Sequence, residues 1–142
     1  MMKFRPDQLE LPPITDSVIK TATIQFVDRD FTDNEVIDFF TETAGKIVVP
    51  VSISMARNLS TAYETQLAFS VVYASGNAIA GFIVEPTTGK TLDVKCAEFT
   101  SFPNASNHIQ ITKGSGAETA GVGKIKFTMA YYLIDELNIT LA

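Results

Sequence analysis

The sequence is poor in the side chains that build metal centres and covalent cross-links. Its 142 residues include one cysteine, one histidine and no tryptophan. A single cysteine excludes a disulfide framework within the chain, and it also excludes a cysteine-rich zinc site. A single histidine excludes metal sites that need a pair of imidazoles. We therefore expect that the protein needs neither a metal nor a cofactor to fold or to act.

Positive charge and long apolar runs are also scarce. Eleven Lys and Arg residues stand against sixteen Asp and Glu residues, which gives a formal net charge of −5. Nucleic-acid-binding proteins usually have a basic balance or a basic stripe, so the composition argues against a nucleic-acid partner. No apolar run approaches the roughly 18 residues of a membrane span, and the first residues lack the apolar core of a secretory signal. These absences predict synthesis in the cytoplasm and no membrane partner.

Residues 1–16 predict an extended N-terminal arm ahead of a single domain at 17–142. Three of the six prolines fall in this stretch, and proline fixes φ and removes a hydrogen-bond donor, so the stretch cannot join a central strand. The arm offers four apolar side chains as candidate partner contacts: Phe4, Leu9, Leu11 and Ile14. They could dock on the parent domain or on a neighbouring chain, and a frayed terminus is the alternative.

Apolar and polar residues alternate along most of the remaining chain, which predicts half-buried strands. The predicted strands cover residues 17–27, 46–56, 63–73, 78–84, 91–100, 107–112, 123–134 and 137–141. No strand–helix–strand rhythm is present, so the pattern favours an all-β fold, an antiparallel two-sheet β-sandwich of jelly-roll type. Apolar side chains at alternate positions share one side of each long strand. They predict a core that contains Ile24, Phe26, Ile53, Leu67, Phe69, Val71, Ile125, Phe127 and Met129.

One segment has the pattern of a short helix, predicted over residues 33–41. Thr32 and Glu35 have the spacing of a capping box, which satisfies backbone donors at a helix start. The apolar side chains that follow form a helical stripe: Val36, Phe39 and Phe40.

Two loops resemble ligand-binding motifs but fail on spacing. The glycine-rich segment contains Gly123-Lys124, the pair that a phosphate-binding loop requires. That motif also needs a glycine at position 118 and a Ser or Thr at position 125, but this sequence has Glu118 and Ile125. In the acidic segment after residue 27, a calcium loop needs glycine and glutamate where Asp33 and Phe39 stand. We therefore expect the glycine-rich segment to form a hairpin loop, and the acidic residues to be solvated or to cap a helix.

The two reactive side chains that occur once each are expected to be structural. His108 lies at the start of a predicted strand with no second imidazole or thiol near it in the sequence, which favours a surface or packing role. Cys96 falls within a predicted strand, where a buried thiol is the usual case. The sequence contains no Gly-x-Ser-x-Gly nucleophile elbow.

Several motifs follow one another in a characteristic order. They are FTDNEVIDFF at 31–40, KIVVP at 46–50, Ala-Tyr at 62–63, LAFSVVY at 67–73 and GVGKIKFTMAYYLI at 121–134. Over about residues 20–134 this order resembles small virion structural proteins of tailed bacteriophages. The resemblance implies a non-enzymatic structural protein with no catalytic residues, and within that group a capsid decoration (cement) protein.

The resemblance also implies a set of partners and a location. It implies that the major capsid protein is the partner, that the chain forms a homotrimer, and that it lies on the capsid surface of the virion after synthesis in the host cytoplasm. Two alternatives stay open. One is a minor fibre, tail or receptor-binding component of a phage particle, and the other is an unrelated β-sandwich that binds a ligand.

Overall fold

The fold consists of β-strands. The structure, a computed structural model, describes residues 16–74, 76–96, 102–116, 118–119 and 121–136. These residues form eight strands and no α-helix: β1 (Asp16–Val27), β2 (Val36–Thr41), β3 (Lys46–Thr61), β4 (Leu67–Tyr73), β5 (Ala78–Val84), β6 (Gly89–Cys96), β7 (His108–Lys113) and β8 (Val122–Asp135). The predicted arm contacts at positions 4, 9, 11 and 14 lie outside the described residues, as does the predicted strand at 137–141.

The strands form two four-stranded antiparallel sheets. The first sheet has the order β1-β8-β3-β6, and the second sheet has the order β2-β7-β4-β5. Every pairing within each sheet is antiparallel. The two sheets pack face to face. Consecutive strands alternate between them except at the β4–β5 hairpin, and this is the topology of a jelly roll. The predicted all-β sandwich is therefore confirmed.

Aromatic side chains join the two sheets in the centre of the sandwich. Phe127 of the first sheet is fully buried, and its ring lies 5.5 Å from that of Phe69 and 5.7 Å from that of Phe82, both in the second sheet. Full burial of a side chain of this size stabilises a fold by about 1.5–3 kcal/mol. Eight of the nine predicted core residues are buried, and the ninth, Ile24, is partly buried against the same core.

The predicted helix at 33–41 is wrong, because the segment forms strand β2. Asn34 has a φ of 52°, which ends any right-handed helix at that position. The contact that suggested a helix start is present, since the Thr32 N–H donates to Glu35 Oε1 at 3.0 Å, but it closes a turn. Beyond the turn, Ile37 pairs with Ile111 of β7, and β-branched and aromatic residues favour such pairing.

Two register shifts lie beside exposed valines in the first sheet. The register of β1 shifts between Asp16 and Lys20, and Val18 is exposed. The register of β3 shifts between Pro50 and Ser52, so that the intervening Val51 is exposed. The shift in β3 adds one residue and reverses the side on which the following residues lie, whereas the shift in β1 adds two residues and leaves that side unchanged.

Three strand boundaries differ from the prediction by two residues or more. Strand β3 continues to residue 61, five residues beyond its predicted end, because β8 remains paired with it there. Strand β4 begins at residue 67, since Tyr63 lies in the preceding loop and buries its ring there. Strand β6 begins at residue 89, and the end predicted for it at residue 100 lies outside the described residues.

Candidate docking face

The outer face of the first sheet is formed by rows of aligned side chains. Residues paired across an antiparallel sheet point to the same side, and they alternate with residues that point into the core. The outward residues form four rows across β1, β8, β3 and β6: Thr21, Ala130, Ser52, Cys96; Thr23, Thr128, Ser54, Val94; Gln25, Lys126, Ala56, Leu92; and Val27, Lys124, Asn58, Lys90. We call these four rows the first-sheet face.

Two of the four rows contain no charged residue. The rows that contain Thr21 and Thr23 consist of Thr, Ala, Ser, Val and Cys residues. Because these side chains are short, this part of the face is nearly flat. At the β6 side of the face, Leu92 is 65% exposed and Val94 is 56% exposed. Such a surface can approach another flat surface closely, and the two exposed apolar side chains would be covered by the contact.

The other two rows make one corner of the face basic. Lys90, Lys124 and Lys126 are exposed there, and within the described residues no ion pair involves them. They border an open depression of about 470 Å³ whose floor includes Ala56 and Asn58. None of the outward residues in the four rows is acidic, although the whole chain has a net charge of −5. The corner therefore favours a partner surface that carries carboxylates.

Strand β6 has its polar and apolar sides reversed relative to a typical strand of a sandwich. Asp93 and Lys95 lie opposite the buried residues Met55 and Ile53 of β3, so they point towards the side of the second sheet. The sandwich is open at this edge, and a cleft of about 320 Å³ lies between β6 and β5. All eight residues of β6 are exposed.

Arg57 anchors the turn that leads into β6. This residue is only 7% exposed. Its guanidinium donates to Thr91 Oγ1 at 2.7 Å, to the backbone oxygens of Glu85 and Thr87 at 3.1 and 2.8 Å, and to Thr87 Oγ1 at 3.0 Å. A buried guanidinium needs such partners, because an unsatisfied buried charge is costly. The turn and the start of β6 are thus fixed to β3 despite their exposure.

The outer face of the second sheet carries the single histidine. His108 Nε2 lies 2.9 Å from Asp38 Oδ1, and Gln110 donates to the same oxygen at 3.2 Å. The hydrogen bond from Gln110 and then the contact with His108 lower the pKa of the Asp38 carboxyl. The prediction that His108 has a surface or packing role agrees with this exposed cross-strand pair.

An arginine and a tyrosine organise the loops at one end of the sandwich. The Arg29 guanidinium pairs with Glu35 and lies 4.9 Å from the centre of the Phe31 ring. Burial alone raises the pKa of Glu35, but hydrogen bonds from Arg29 and Thr32 outweigh it and hold that pKa below its ordinary value. The Tyr63 hydroxyl donates to the Arg29 carbonyl at 2.5 Å. Burial raises the pKa of Tyr63 to about 12.

The acidic and glycine-rich loops at this end hold each other in place. Asp28 Oδ1 accepts the Gly123 N–H at 2.7 Å, and Asp33 Oδ1 accepts the Gly116 N–H at 2.5 Å. The buried Lys113 ammonium donates to backbone carbonyls of the glycine-rich loop, including that of Gly114 at 3.1 Å. The interpretation of these segments as loop structure, in preference to calcium or phosphate sites, agrees with these contacts.

The predicted role of Cys96 is wrong, because its thiol is free and exposed on the first-sheet face. It pairs with Ser52, which also faces outward, so the inverted polarity of β6 carries it to the surface. The sequence did contain a signal for the face, because Lys124, Lys126 and Thr128 share the polar side of the regularly alternating strand β8. Nothing in the sequence showed that Leu92 and Val94 would lie beside them.

The described part of the chain contains neither a metal-binding cluster nor a membrane-spanning helix. Among those residues, no group of three or more His, Cys, Asp or Glu side chains is placed to hold a metal ion. The same residues contain no helix of the length and hydropathy that a membrane crossing requires. The expectations that the protein needs no metal or cofactor and is not an enzyme remain predictions.

Comparison with known proteins finds similarity only in structure. No protein-family model and no curated protein sequence matches the chain. A chain of the capsid asymmetric unit of cyanophage Pam1 is 13% identical, with a TM-score of 0.47, over 93% of this chain and 99% of that one. A chain of the disulfide-linked pili that form Bacillus endospore appendages is 12% identical, with a TM-score of 0.41, over 87% of this chain and 96% of that one. A chain of the infectious bursal disease virus Gx strain is 12% identical, with a TM-score of 0.31, over 86% of this chain but 42% of that one. With identities of 12–13% and TM-scores below 0.5, these similarities carry no argument about this chain.

Proposed function

We propose that this chain is a non-enzymatic structural protein of a virus particle, and that it binds the outside of a capsid shell as a decoration protein. The partner is the major capsid protein, and the first-sheet face is the surface that meets it. The chain would act on the particle as a homotrimer, a state that rests on the sequence resemblance alone.

The observation that carries the proposal is the composition of the first-sheet face. A decoration protein has to add contact area to a shell, and it needs no reactive group to do so. Rows of small uncharged side chains allow close approach, and exposed Leu92 and Val94 supply apolar area to bury. The lysine corner supplies electrostatic complementarity to an acidic shell surface, which favours correct orientation and fast association.

Two further points support the proposal. The order of motifs along residues 20–134 resembles that of small tailed-phage virion proteins. The jelly roll also occurs in viral capsid domains, although it occurs in lectin domains and cupins as well, so the fold permits the role without selecting it.

The proposal is tested by co-sedimentation of the purified protein with empty and mature shells of the virus that encodes it. We expect saturable binding, with the number of bound copies in a fixed ratio to the number of capsid subunits. A protein that stays in the supernatant with every form of the shell would contradict the proposal. Binding to tails or fibres, but not to shells, would instead support the alternative of a minor fibre or tail component.

One observation favours a second candidate function, a ligand-binding β-sandwich. The cleft of about 320 Å³ between β5 and β6 is lined by both apolar and charged residues, including Phe82, Asp93 and Lys95. Such a mixture is typical of sites for small polar molecules. A glycan or metabolite that raises the melting temperature of the wild-type protein but not that of the Asp93→Ala variant would favour this function.

A further inference from the structure

Strand β6 offers a free edge to another strand. It pairs with β3 on one side, and no strand among the described residues pairs with its other side. The N–H and C=O groups along such an edge form a template for one more strand. Since all eight residues of β6 are exposed, a second chain can reach this edge without a rearrangement of the sandwich.

We propose that a second copy of this chain pairs with β6 edge to edge, antiparallel and about a two-fold axis that passes through Val94. In such a pair, the residue numbers of opposite partners have a constant sum. With Val94 opposite itself, Asp93 of each copy lies opposite Lys95 of the other. The contact then contains two equivalent ion pairs, one on each side of the axis.

The charges select this register over its neighbours. A two-fold axis through residue 93 would place Asp93 opposite Asp93, and an axis through residue 95 would place Lys95 opposite Lys95. Like charges directly opposite each other destabilise an antiparallel pair, and opposite charges stabilise it. Charges on an edge strand also discourage pairing with unrelated strands, so the same two residues would protect the edge and specify its partner.

The apolar side of β6 fits the same arrangement. Leu92 and Val94 point to the first-sheet face, and the proposed register places Leu92 opposite Cys96 and Val94 opposite Val94. Val94, which is 56% exposed in one chain, would therefore contact its equivalent, and Leu92, which is 65% exposed, would contact Cys96 of the second copy. Pairing would join two first sheets into one continuous eight-stranded sheet.

The inference goes beyond the proposed function, because pairing through β6 requires no capsid. It would place two first-sheet faces side by side, so that two weak contacts with a shell would act together. A two-fold contact pairs a surface with itself, whereas a trimer needs two different surfaces. The β6 contact alone gives a dimer, and together with a separate trimer contact it gives a hexamer. In both cases its loss halves the mass of the assembly.

The test uses charge reversal in the full-length protein and measures mass by light scattering. The Asp93→Lys variant should place Lys opposite Lys, and the Lys95→Asp variant should place Asp opposite Asp. We expect each variant alone to have half the assembly mass of the wild type. An equimolar mixture of the two variants should recover the wild-type mass, because each Lys then meets an Asp, and the double variant D93K/K95D should recover it as well.

Three results would overturn the inference. They are a wild-type protein that stays monomeric at the highest concentration that remains in solution, single variants that keep the wild-type mass, and a mixture that does not recover it. The mixture also controls for misfolding, since two misfolded variants would not rescue each other.

A second measurement uses the Cys96→Ser background. There, Val94→Cys should allow cross-linking of two copies by a short thiol reagent. Lys90→Cys, about 25 Å from its equivalent in this register, should not.

Discussion

The ring of Phe127 meets the ring of Phe69 edge to face between the two sheets, with centroids 5.5 Å apart and planes inclined by 73°. Both side chains are almost completely buried. Because Phe127 fills the space between the sheets, Phe127→Ala should leave a cavity and lower the free energy of unfolding by about 3–5 kcal/mol. Denaturant titration measures this loss.

Thr128 provides the control for this substitution. It is the next residue on β8, and its side chain lies on the first-sheet face. Thr128→Ala removes only an exposed cross-strand hydrogen bond with Thr23, so it should lower the free energy of unfolding by no more than about 1 kcal/mol. A loss below about 1 kcal/mol for Phe127→Ala would mean that the two faces of β8 are assigned the wrong way round.

The pair of Arg29 and Glu35 should make stability depend on acid pH. The pKa of Glu35 is lowered in the folded protein, so its contribution to stability is complete above the ordinary pKa of a glutamate, about 4.3. The contribution is lost as the pH falls through the lower folded-state pKa. Glu35→Gln should therefore be less stable than the wild type at pH 7, by about 1 kcal/mol, and the difference should shrink below about pH 4. A difference in the free energy of unfolding between the two proteins that stays constant from pH 7 to below pH 4 would contradict the assignment.

Gly123 occupies a position that no other residue fits. Its φ is +135°, and an added Cβ would lie 2.2 Å from the Asn58 carbonyl oxygen and 2.8 Å from the Leu59 Cα. Gly123→Ala should destabilise the protein by more than the roughly 1–3 kcal/mol of backbone strain alone. Gly45→Ala is the matched control, because Gly45 has a φ of +86° with nothing within 4 Å of an added Cβ. Equal melting temperatures for the two variants would show that the close approach between β3 and β8 at Gly123 is not rigid.

Residues 1–16 remain predicted as a docking arm. Sixteen extended residues span up to about 50 Å, which is enough to reach a neighbouring subunit. Deletion of residues 2–15 should leave the melting temperature within a few degrees and should weaken binding to the particle. A truncated protein that binds as well as the full-length chain would make the arm a frayed terminus. A truncated protein that unfolds would place the segment in the domain core.

The sheets could be predicted from the sequence where one face of a strand is apolar and the other is polar. Strand β8 shows this most clearly, because Ile125, Phe127 and Met129 alternate with polar or small residues and all three are buried. Strand β2 could not be predicted in this way. Its local pattern fits a helix, and it forms a strand because β7 lies beside it and Asn34 adopts a left-handed conformation. Contacts between residues distant in sequence therefore overrode the local preference.

The apolar part of the candidate docking face, on β6, could not be predicted from the sequence for a related reason. The alternation in β6 shows that Leu92 and Val94 share one side, but it does not show which side faces the core. Apolar residues usually face inward, whereas here Thr91 and Asp93 do so because β3 fixes the register. The opening of the sandwich at this edge makes that orientation possible, since the charged side chains there border the cleft.

The most direct test of the proposed docking face compares two triple variants in binding to the shell. One replaces Lys90, Lys124 and Lys126 with glutamine. The control introduces glutamate at three exposed positions of the second sheet: Val36, Ala68 and Ile83. Each set makes the net charge more negative by three, so a general charge effect would act on both equally. We expect the lysine variant to bind shells about ten-fold or more weakly at low salt, the difference from the wild type to shrink as salt is raised, and the control to bind like the wild type. A lysine variant that binds as tightly as the wild type, or a control that is weakened to the same extent, would contradict the assignment of this face.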